Sequence, residues 1–95
     1  MTHTITLVAN VYVSKAEALD ALSGLLGEPI DYTDPSHAVI RFRDVVVSIE
    51  VPKFGEDLPL TIDLIGHRPE DVDQAAHSLI ASAQERLAWT LTVVG

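Results

Sequence analysis

The chain has 95 residues, 14 acidic and 6 basic side chains, a net charge of −8 and no cysteine. Domains commonly hold about 100–150 residues, so this length predicts a single domain that spans residues 1–95. The lack of cysteine excludes disulfides, thiolate metal ligands and cysteine nucleophiles. No uninterrupted apolar segment exceeds three residues, and Met1–Thr4 lacks the cationic start and apolar block of a signal peptide. We therefore expect a cytoplasmic protein that does not cross a membrane.

The charge argues against nucleic acids and anionic membranes as partners. Binding to phosphates requires a basic surface, and only Arg41 and Arg43 lie close together in sequence. Residues 1–48 carry 3 basic and 6 acidic side chains, and residues 49–95 carry 3 and 8, so neither half of the chain is basic. A basic protein partner fits this charge, because opposite charges speed the encounter of two proteins.

The first predicted elements are a strand and a helix. Alternation of apolar and polar residues predicts a strand over about residues 4–13. Ser14 and Glu17 have the spacing of a capping box, and the apolar residues that follow repeat at helical spacing. Gly27 and Pro29 predict the end of this helix, because glycine suits the left-handed terminal position and proline cannot continue the helix.

Three strands are predicted in the middle of the chain. Residues 28–37 are polar and predict a surface loop, with a short extended piece at residues 30–32. A tight turn at residues 43–44 and a six-residue loop at residues 52–57 then connect an antiparallel meander whose cross-strand pairs are all apolar. The predicted pairs are Phe42 with Val45, Ile40 with Val47, Ala38 with Ile49, Val51 with Leu58, Ile49 with Leu60 and Val47 with Ile62.

The last elements complete an α+β fold. Pro69 suits the first position of a second helix, and apolar residues repeat in steps of three and four from Val72 to Leu87. Alternation over residues 89–94 predicts a final strand whose odd-numbered residues face the core. The order β-α-β-β-β-α-β predicts a two-layer α+β sandwich with a mainly antiparallel five-stranded sheet and both helices on one face. This order resembles the ferredoxin-like β-α-β-β-α-β plan with one additional strand, a topological resemblance that covers the whole chain and implies no particular function.

The same periodicities predict one hydrophobic core. Its members are the apolar residues that point inward from the strands and helices. They are Ile5, Leu7, Val11, Leu22, Leu25, Ile40, Phe42, Val47, Ile49, Leu60, Ile62, Val72, Leu79, Ile80 and Leu91.

Two residues at a strand–helix junction are candidates for ligand binding. His67 and Arg68 follow the last strand of the meander and precede Pro69. The first amides of a helix bind anions readily, so this junction predicts an anion contact. The alternative is that both residues only complete a turn.

Other candidates lie on the sheet face predicted to point away from the helices. Arg41, Arg43, Glu50 and Asp63 share that face by their parity, and Tyr12 joins them from the first strand. A buried carboxylate pair among them suits acid–base chemistry, whereas exposed ion pairs stabilise a sheet only slightly. We predict a binding surface here and name no catalytic residue.

The histidines, acidic residues and serines form no convincing catalytic or metal motif. Glu70, Asp73 and His77 share one stripe of the second helix, but no second histidine pair supports a zinc site. The acidic residues of the 28–37 loop lack the spacing of a calcium-binding loop. No serine lies in a G-x-S-x-G motif. We therefore predict no metal and no cofactor, and favour a protein without enzymatic activity over an enzyme.

Composition also predicts self-association. The sheet face away from the helices is rich in threonine and valine, a pattern typical of an adhesive surface and also of ordinary β-propensity. An open sheet leaves two edges, and no lysine lies inside a predicted strand to protect them. We expect a homodimer that covers an edge strand or this face, with a total interface of at least about 1,000 Å². If the dimer covers the threonine- and valine-rich face, Tyr12, Val39 and Val46 are expected to lose exposure to solvent.

These observations favour one function and leave a second open. The leading hypothesis is a non-catalytic, acidic interaction module that binds a protein, such as an immunity- or antitoxin-type inhibitor of a basic enzyme. The alternative is a dimeric ferredoxin-like domain that binds a small molecule, or a small enzyme, with its site between sheet and helices. A cavity of roughly a few hundred Å³ with polar walls favours the alternative, whereas a filled core beneath a flat acidic face favours protein binding.

Overall fold

The computed structural model of the chain describes residues 2–33, 37–50 and 60–94. Two helices, α1 (Lys15–Leu26) and α2 (Pro69–Leu87), pack on a six-stranded antiparallel sheet of order β2-β3-β4-β5-β1-β6. The strands are β1 (His3–Ala9), β2 (Ile30–Asp31), β3 (Val39–Phe42), β4 (Val45–Glu50), β5 (Thr61–Gly66) and β6 (Leu91–Val94). The predicted two-layer α+β fold is confirmed. Strands β5 and β6 both run antiparallel to β1, which lies between them, so β5-α2-β6 is a split βαβ unit.

The sheet has six strands rather than the five predicted. The short extended piece near residue 30 pairs with β3, so that Ile30 lies opposite Ile40 and adds an edge strand. The first strand ends at Ala9 and not near residue 13. On the side of β6 the pairing stops there, because β6 begins at Leu91, opposite Ala9. Alternation in a sequence cannot show where a partner strand stops.

The hairpin between β3 and β4 has the predicted register. Phe42 lies opposite Val45, and Ile40 lies opposite Val47. Arg43 adopts a left-handed φ of 58° in the turn, a conformation that tight hairpins require and that glycine or asparagine adopts more easily. The Arg43 guanidinium lies 5.0 Å from the centroid of the Phe42 ring. This cation–π contact helps to hold the turn.

The predicted register between β4 and β5 is wrong by two residues. Val47 lies opposite Leu64, and Ile49 lies opposite Ile62. A shift of two residues keeps every side chain on its own face of the sheet, so the apolar pattern fits both registers equally. The predicted pair Val51–Leu58 lies outside the described residues.

The predicted core is confirmed. Ten of its members are buried: Leu7, Leu22, Ile40, Val47, Ile49, Leu60, Ile62, Val72, Leu79 and Leu91. The other five are partly buried and pack against them: Ile5, Val11, Leu25, Phe42 and Ile80. Val93 was expected to face the core as well, but its side chain is 57% exposed. Strand β6 forms the edge of the sheet, and the described residues leave this end of the strand uncovered.

Both helices begin and end where the sequence predicts. Ser14 is the N-cap of α1, and its Oγ accepts a hydrogen bond of 3.1 Å from the Glu17 amide. Gly27 ends α1 in a left-handed conformation with a φ of 70°. Pro69 occupies the first position of α2. Within the described ranges, neither helix has the length and apolar character needed to cross a membrane.

The Ser14 cap gives a direct test of the α1 boundary. Substitution Ser14→Ala removes the acceptor of the Glu17 amide, and we expect the free energy of unfolding to fall by about 1 kcal/mol. Ser14→Asp keeps an acceptor at the same place and is expected to change stability by less than half of that amount. Urea denaturation monitored by circular dichroism measures both variants, and equal losses would contradict the capping role.

Candidate functional site

A cavity of about 500 Å³ lies at one end of the sheet, where β3 turns into β4 and β5 leads into α2. The pairing of Val45 with Gly66 brings these two junctions together. We call this feature the basic cavity. Its lining consists of Thr2, Arg41, Arg43, Asp44, Val45, Val46, Ile65, Gly66, His67, Arg68 and Asp71.

Four of the seven predicted site residues line the basic cavity: Arg41, Arg43, His67 and Arg68. The chain has only six lysines and arginines, so half of them converge on this one place. Within the described residues the single ion pair joins Arg41 to Asp31. No described carboxylate therefore lies within 4.0 Å of the Arg43 or Arg68 guanidinium. The cavity concentrates positive charge in a strongly acidic chain.

The start of α2 adds hydrogen-bond donors to the same end of the sheet. Arg68 is the N-cap residue, with an extended backbone (φ −111°, ψ 125°), and no side chain caps the helix. The amides of a first helical turn have no partner inside the helix, and the helix dipole makes this end positive. Asp71 of the first turn and Asp44 of the β3–β4 turn also line the cavity. Its charge is therefore mixed, with three guanidinium groups against two carboxylates.

One wall of the basic cavity is apolar. Val46 and Ile65 lie directly opposite each other on β4 and β5, and both are half-buried. Their side chains lie on the open face, by which we mean the sheet face away from the helices. Arg41 pairs with Val46 and Thr4 pairs with Ile65, so the four residues form one row across the sheet. The cavity thus extends from this row around the end of the sheet to α2.

Gly66 allows α2 to begin close to the sheet. A Cβ atom at Gly66 would lie 2.9 Å from Cγ2 of Val72 and 3.3 Å from the carbonyl oxygen of Asp44. The first of these distances is shorter than carbon atoms tolerate, so this position favours a residue without a side chain. Because Arg68 follows two residues later, the close approach also holds its backbone beside the β3–β4 turn.

Arg41 is anchored by a network that the sequence did not reveal. Its Nε donates to Oδ2 of Asp31 at 2.9 Å, across the pairing of β2 with β3. Oδ1 of Asp31 accepts hydrogen bonds from the hydroxyl and the backbone amide of Thr33. The Thr33 hydroxyl, then its amide, and then Arg41 lower the pKa of Asp31 from 3.8 to about 2. The sequence did not predict that the two-residue strand β2 pairs with β3, and this pairing places Asp31 beside Arg41.

The network has a measurable pH dependence. The folded pKa of Asp31 lies below its ordinary value, so the stabilisation by its partners is complete above about pH 4 and is lost as the pH falls towards 2. We expect Thr33→Val and Arg41→Gln each to raise this pKa, because the Thr33 hydroxyl and the Arg41 guanidinium both lower it. NMR titration of the Asp31 carboxyl group measures both variants, and an unchanged pKa in either one would contradict the network.

The other three predicted site residues lie away from the basic cavity. Glu50 pairs with Thr61 at the opposite end of β4, about 16 Å away at 3.3 Å per residue. Tyr12 is 71% exposed and follows the end of β1. Asp63 lies at the centre of the open face, where its Oδ1 accepts a 2.7 Å hydrogen bond from the Thr6 hydroxyl. The structure therefore places four of the seven predicted site residues at the basic cavity and the other three elsewhere.

A second polar group on the open face was missed by sequence reasoning. Ser48 is 4% exposed although it lies on this face, and its Oγ is 3.2 Å from Nε2 of His37. Ser48 pairs with Asp63 across the β4–β5 ladder. Asp63 hydrogen-bonds to Thr6, and no described hydrogen bond joins it to His37. The arrangement holds loop and sheet together and lacks the carboxylate–histidine contact of a catalytic triad.

Comparison of the chain with models of protein families, with curated proteins and with solved structures found no match. In the ranges that the structure describes, no group of three or more histidine, aspartate or glutamate side chains is arranged to hold a metal ion. The geometry and charge of the basic cavity are therefore the features that bear on function.

Proposed function

We propose that the protein is a non-catalytic domain that binds a small anionic ligand in the basic cavity. The observation that carries this proposal is the convergence of Arg41, Arg43 and Arg68 on one cavity in a chain of net charge −8. The volume of about 500 Å³ lies within the usual range for small-molecule sites. The cavity lies at one end of the sheet and extends onto the open face, whereas the alternative hypothesis drawn from the sequence placed a site between sheet and helices.

The chemistry of the lining favours an oxyanion as the ligand group. Guanidinium groups bind carboxylates and phosphates through paired hydrogen bonds, and these charge-assisted bonds are stronger than neutral ones. The first amides of α2 lie at the same end of the sheet and favour negative charge as well. The surrounding acidic surface repels anions at long range, so the attraction has to be local.

Binding without catalysis is what the described lining can provide. Its described polar residues are arginine, histidine, threonine and aspartate, and no side-chain contact among them pairs a nucleophile with a base. His67 is exposed and has no hydrogen-bond partner among the described side chains that would orient it as a general base. We therefore assign no bond-forming or bond-breaking step to the cavity.

Titration with inorganic phosphate, followed by chemical shifts of backbone amides, tests the proposal. We expect the amides of residues 43–46, 65–68 and 70–71 to shift in a saturable way. Arg43→Ala and Arg68→Ala are each expected to weaken binding by about tenfold, because each removes a charge-assisted hydrogen bond worth about 1.5 kcal/mol.

Arg86→Ala is the matched control for these two variants. Arg86 is an exposed arginine in the last turn of α2, at the end of the helix opposite to the cavity. Its removal changes the net charge by the same amount and is expected to leave phosphate affinity within about twofold. Equal losses in all three variants would show that net charge, rather than the cavity, controls binding.

The edge strand β6 supports a second function, which is self-association. The side chains of Val93 and Val94 are 57% and 50% exposed, and no ionisable residue occurs from Leu87 to Val94. Two copies of an acidic chain repel least where neither carries charge, so β6 is the edge that a second copy can pair with. The expectation of a basic protein partner rests on net charge alone and stays a prediction.

Light scattering at micromolar concentration tests the dimer. We expect a mass of twice the 10.3 kDa of the chain, and a single Val93→Lys substitution is expected to return the mass to that of one chain. A charged side chain at an edge strand blocks pairing with another strand. The matched variant Ala81→Lys places the same charge on the exposed face of α2 and should leave the dimer intact. A mass near 10 kDa for the unmodified chain would contradict this second function.

A further inference from the structure

We infer that the ligand of the basic cavity is an oxyanion joined to a short apolar or aromatic body, rather than a free inorganic anion. This inference rests on the proposed function, because it names the ligand class of the same site. It depends on the two unlike walls of the cavity and on the charge balance between them.

The basic wall alone has limited attraction for a free anion. Asp44 and Asp71 share the lining with the three arginines, and Arg41 already contacts Asp31. Two guanidinium groups, those of Arg43 and Arg68, therefore remain without a described carboxylate partner. Charge of this size in a cavity open to water gives weak binding of a small, strongly hydrated ion.

The apolar wall supplies the remaining attraction. Val46 and Ile65 lie side by side on β4 and β5, are half-buried, and both line the cavity. Ile65 precedes Arg68 by three residues, which spans at most about 10 Å of extended chain. A ligand whose anionic group meets Arg43 and Arg68 can therefore place a ring or a short aliphatic group on the two side chains.

The expected contribution of the apolar wall is large enough to measure. Covering about 60 Å² of apolar surface strengthens binding by about tenfold at the usual value per unit area. Arg41 lies beside Val46 on the neighbouring strand and also lines the cavity, while its guanidinium is held by Asp31. An oxyanion that carries an apolar or aromatic group is therefore expected to bind measurably more tightly than the same oxyanion without that group.

Calorimetric titration with phenyl phosphate, benzoate, inorganic phosphate and phenol tests the inference. We expect phenyl phosphate to bind about tenfold more tightly than inorganic phosphate, and phenol to bind more weakly than either. Benzoate identifies the oxyanion, because tighter binding of benzoate than of phenyl phosphate assigns a carboxylate and the opposite order assigns a phosphate. Either order supports the inference only if phenyl phosphate also binds more tightly than inorganic phosphate and phenol binds more weakly than the tighter of the two aromatic anions.

Substitution of the apolar wall provides the second readout. Val46→Thr removes apolar surface at nearly constant shape and is expected to lower phenyl phosphate affinity severalfold while inorganic phosphate affinity stays unchanged. Val8→Thr is the matched control, since Val8 is a half-buried valine of the open face near the other end of the sheet. Ile65→Thr repeats the same test on β5. If a variant does not fold, the affinities of the unmodified protein for the ligand series test the inference.

The outcomes separate this inference from the proposed function. Equal affinities for phenyl phosphate and inorganic phosphate, with both reduced in Arg43→Ala, would overturn the inference and leave the proposed function in place. Failure of phenyl phosphate, inorganic phosphate and benzoate alike to bind would overturn the proposed function itself. Equal affinities for phenol and phenyl phosphate would overturn both, because the arginines would then contribute nothing.

Discussion

Replacing Ile62 with alanine is expected to lower the free energy of unfolding by about 2–5 kcal/mol. Ile62 lies on β5 at the centre of the sheet, opposite Leu7 of β1 and Ile49 of β4, and all three side chains have 0% exposure. Alanine leaves a void beneath the helices that strands hydrogen-bonded on both sides cannot close. The loss of burial and the remaining void both weaken the folded state.

Urea denaturation of Ile62→Ala measures this loss, with Gln84→Ala as the control. Gln84 is an exposed residue of α2, away from both the cavity and β6, so its truncation is expected to change stability by less than about 0.5 kcal/mol. A loss below about 1 kcal/mol for Ile62→Ala would show that the centre of the sheet is loosely packed.

Replacing Gly66 with alanine is expected to cost about 1–3 kcal/mol, although alanine suits a strand better than glycine does. The new methyl group would lie 2.9 Å from Cγ2 of Val72 and 3.3 Å from the Asp44 carbonyl oxygen. Val72 is fully buried and β-branched on a helix, so its side chain has little freedom to move away. The strain then has to displace α2 or the β3–β4 turn.

A double-mutant cycle with Val72→Ala tests the origin of this cost. Val72→Ala removes the Cγ2 atom that the new methyl group would meet, so we expect the double variant to be more stable than the sum of the two single losses predicts. The coupling should be about 1 kcal/mol in favour of the double variant. Strict additivity would contradict the close contact. Gly66→Ala should also weaken phosphate binding, because it separates Arg43 from Arg68.

The sequence predicts the elements and the core of this fold better than it predicts how the strands meet. Periods of two and 3.6 residues identify which face of each element is apolar, and Ser14, Gly27 and Pro69 mark helix ends by local chemistry alone. The apolar pattern does not determine the register, because a shift of two residues between β4 and β5 leaves every apolar side chain on the same face of the sheet. The end of β1 depends on the length of its partner, which its own residues do not encode.

The lack of register information also limits what the sequence predicts about the candidate site. Arg43 and His67 are 24 positions apart in the sequence, and only the pairing of Val45 with Gly66 places them at one end of the sheet. Parity assigned Arg41, Glu50 and Asp63 to one face, but it carries no information about position along that face. The individual residues could therefore be named from the sequence, whereas their division between a cavity and its surroundings required the register.

The position of β1 between β5 and β6 has a consequence for synthesis of the protein in the cell. Residues 3–9 pair only with β5 and β6, and β5 begins more than 50 residues later in the chain. At about 5–20 residues per second, a ribosome takes about 3–10 s to make that stretch. During this interval β1 has no strand to pair with, and Leu7 remains in contact with water or with a chaperone. The sheet closes around its first strand only when its last strand has left the ribosome.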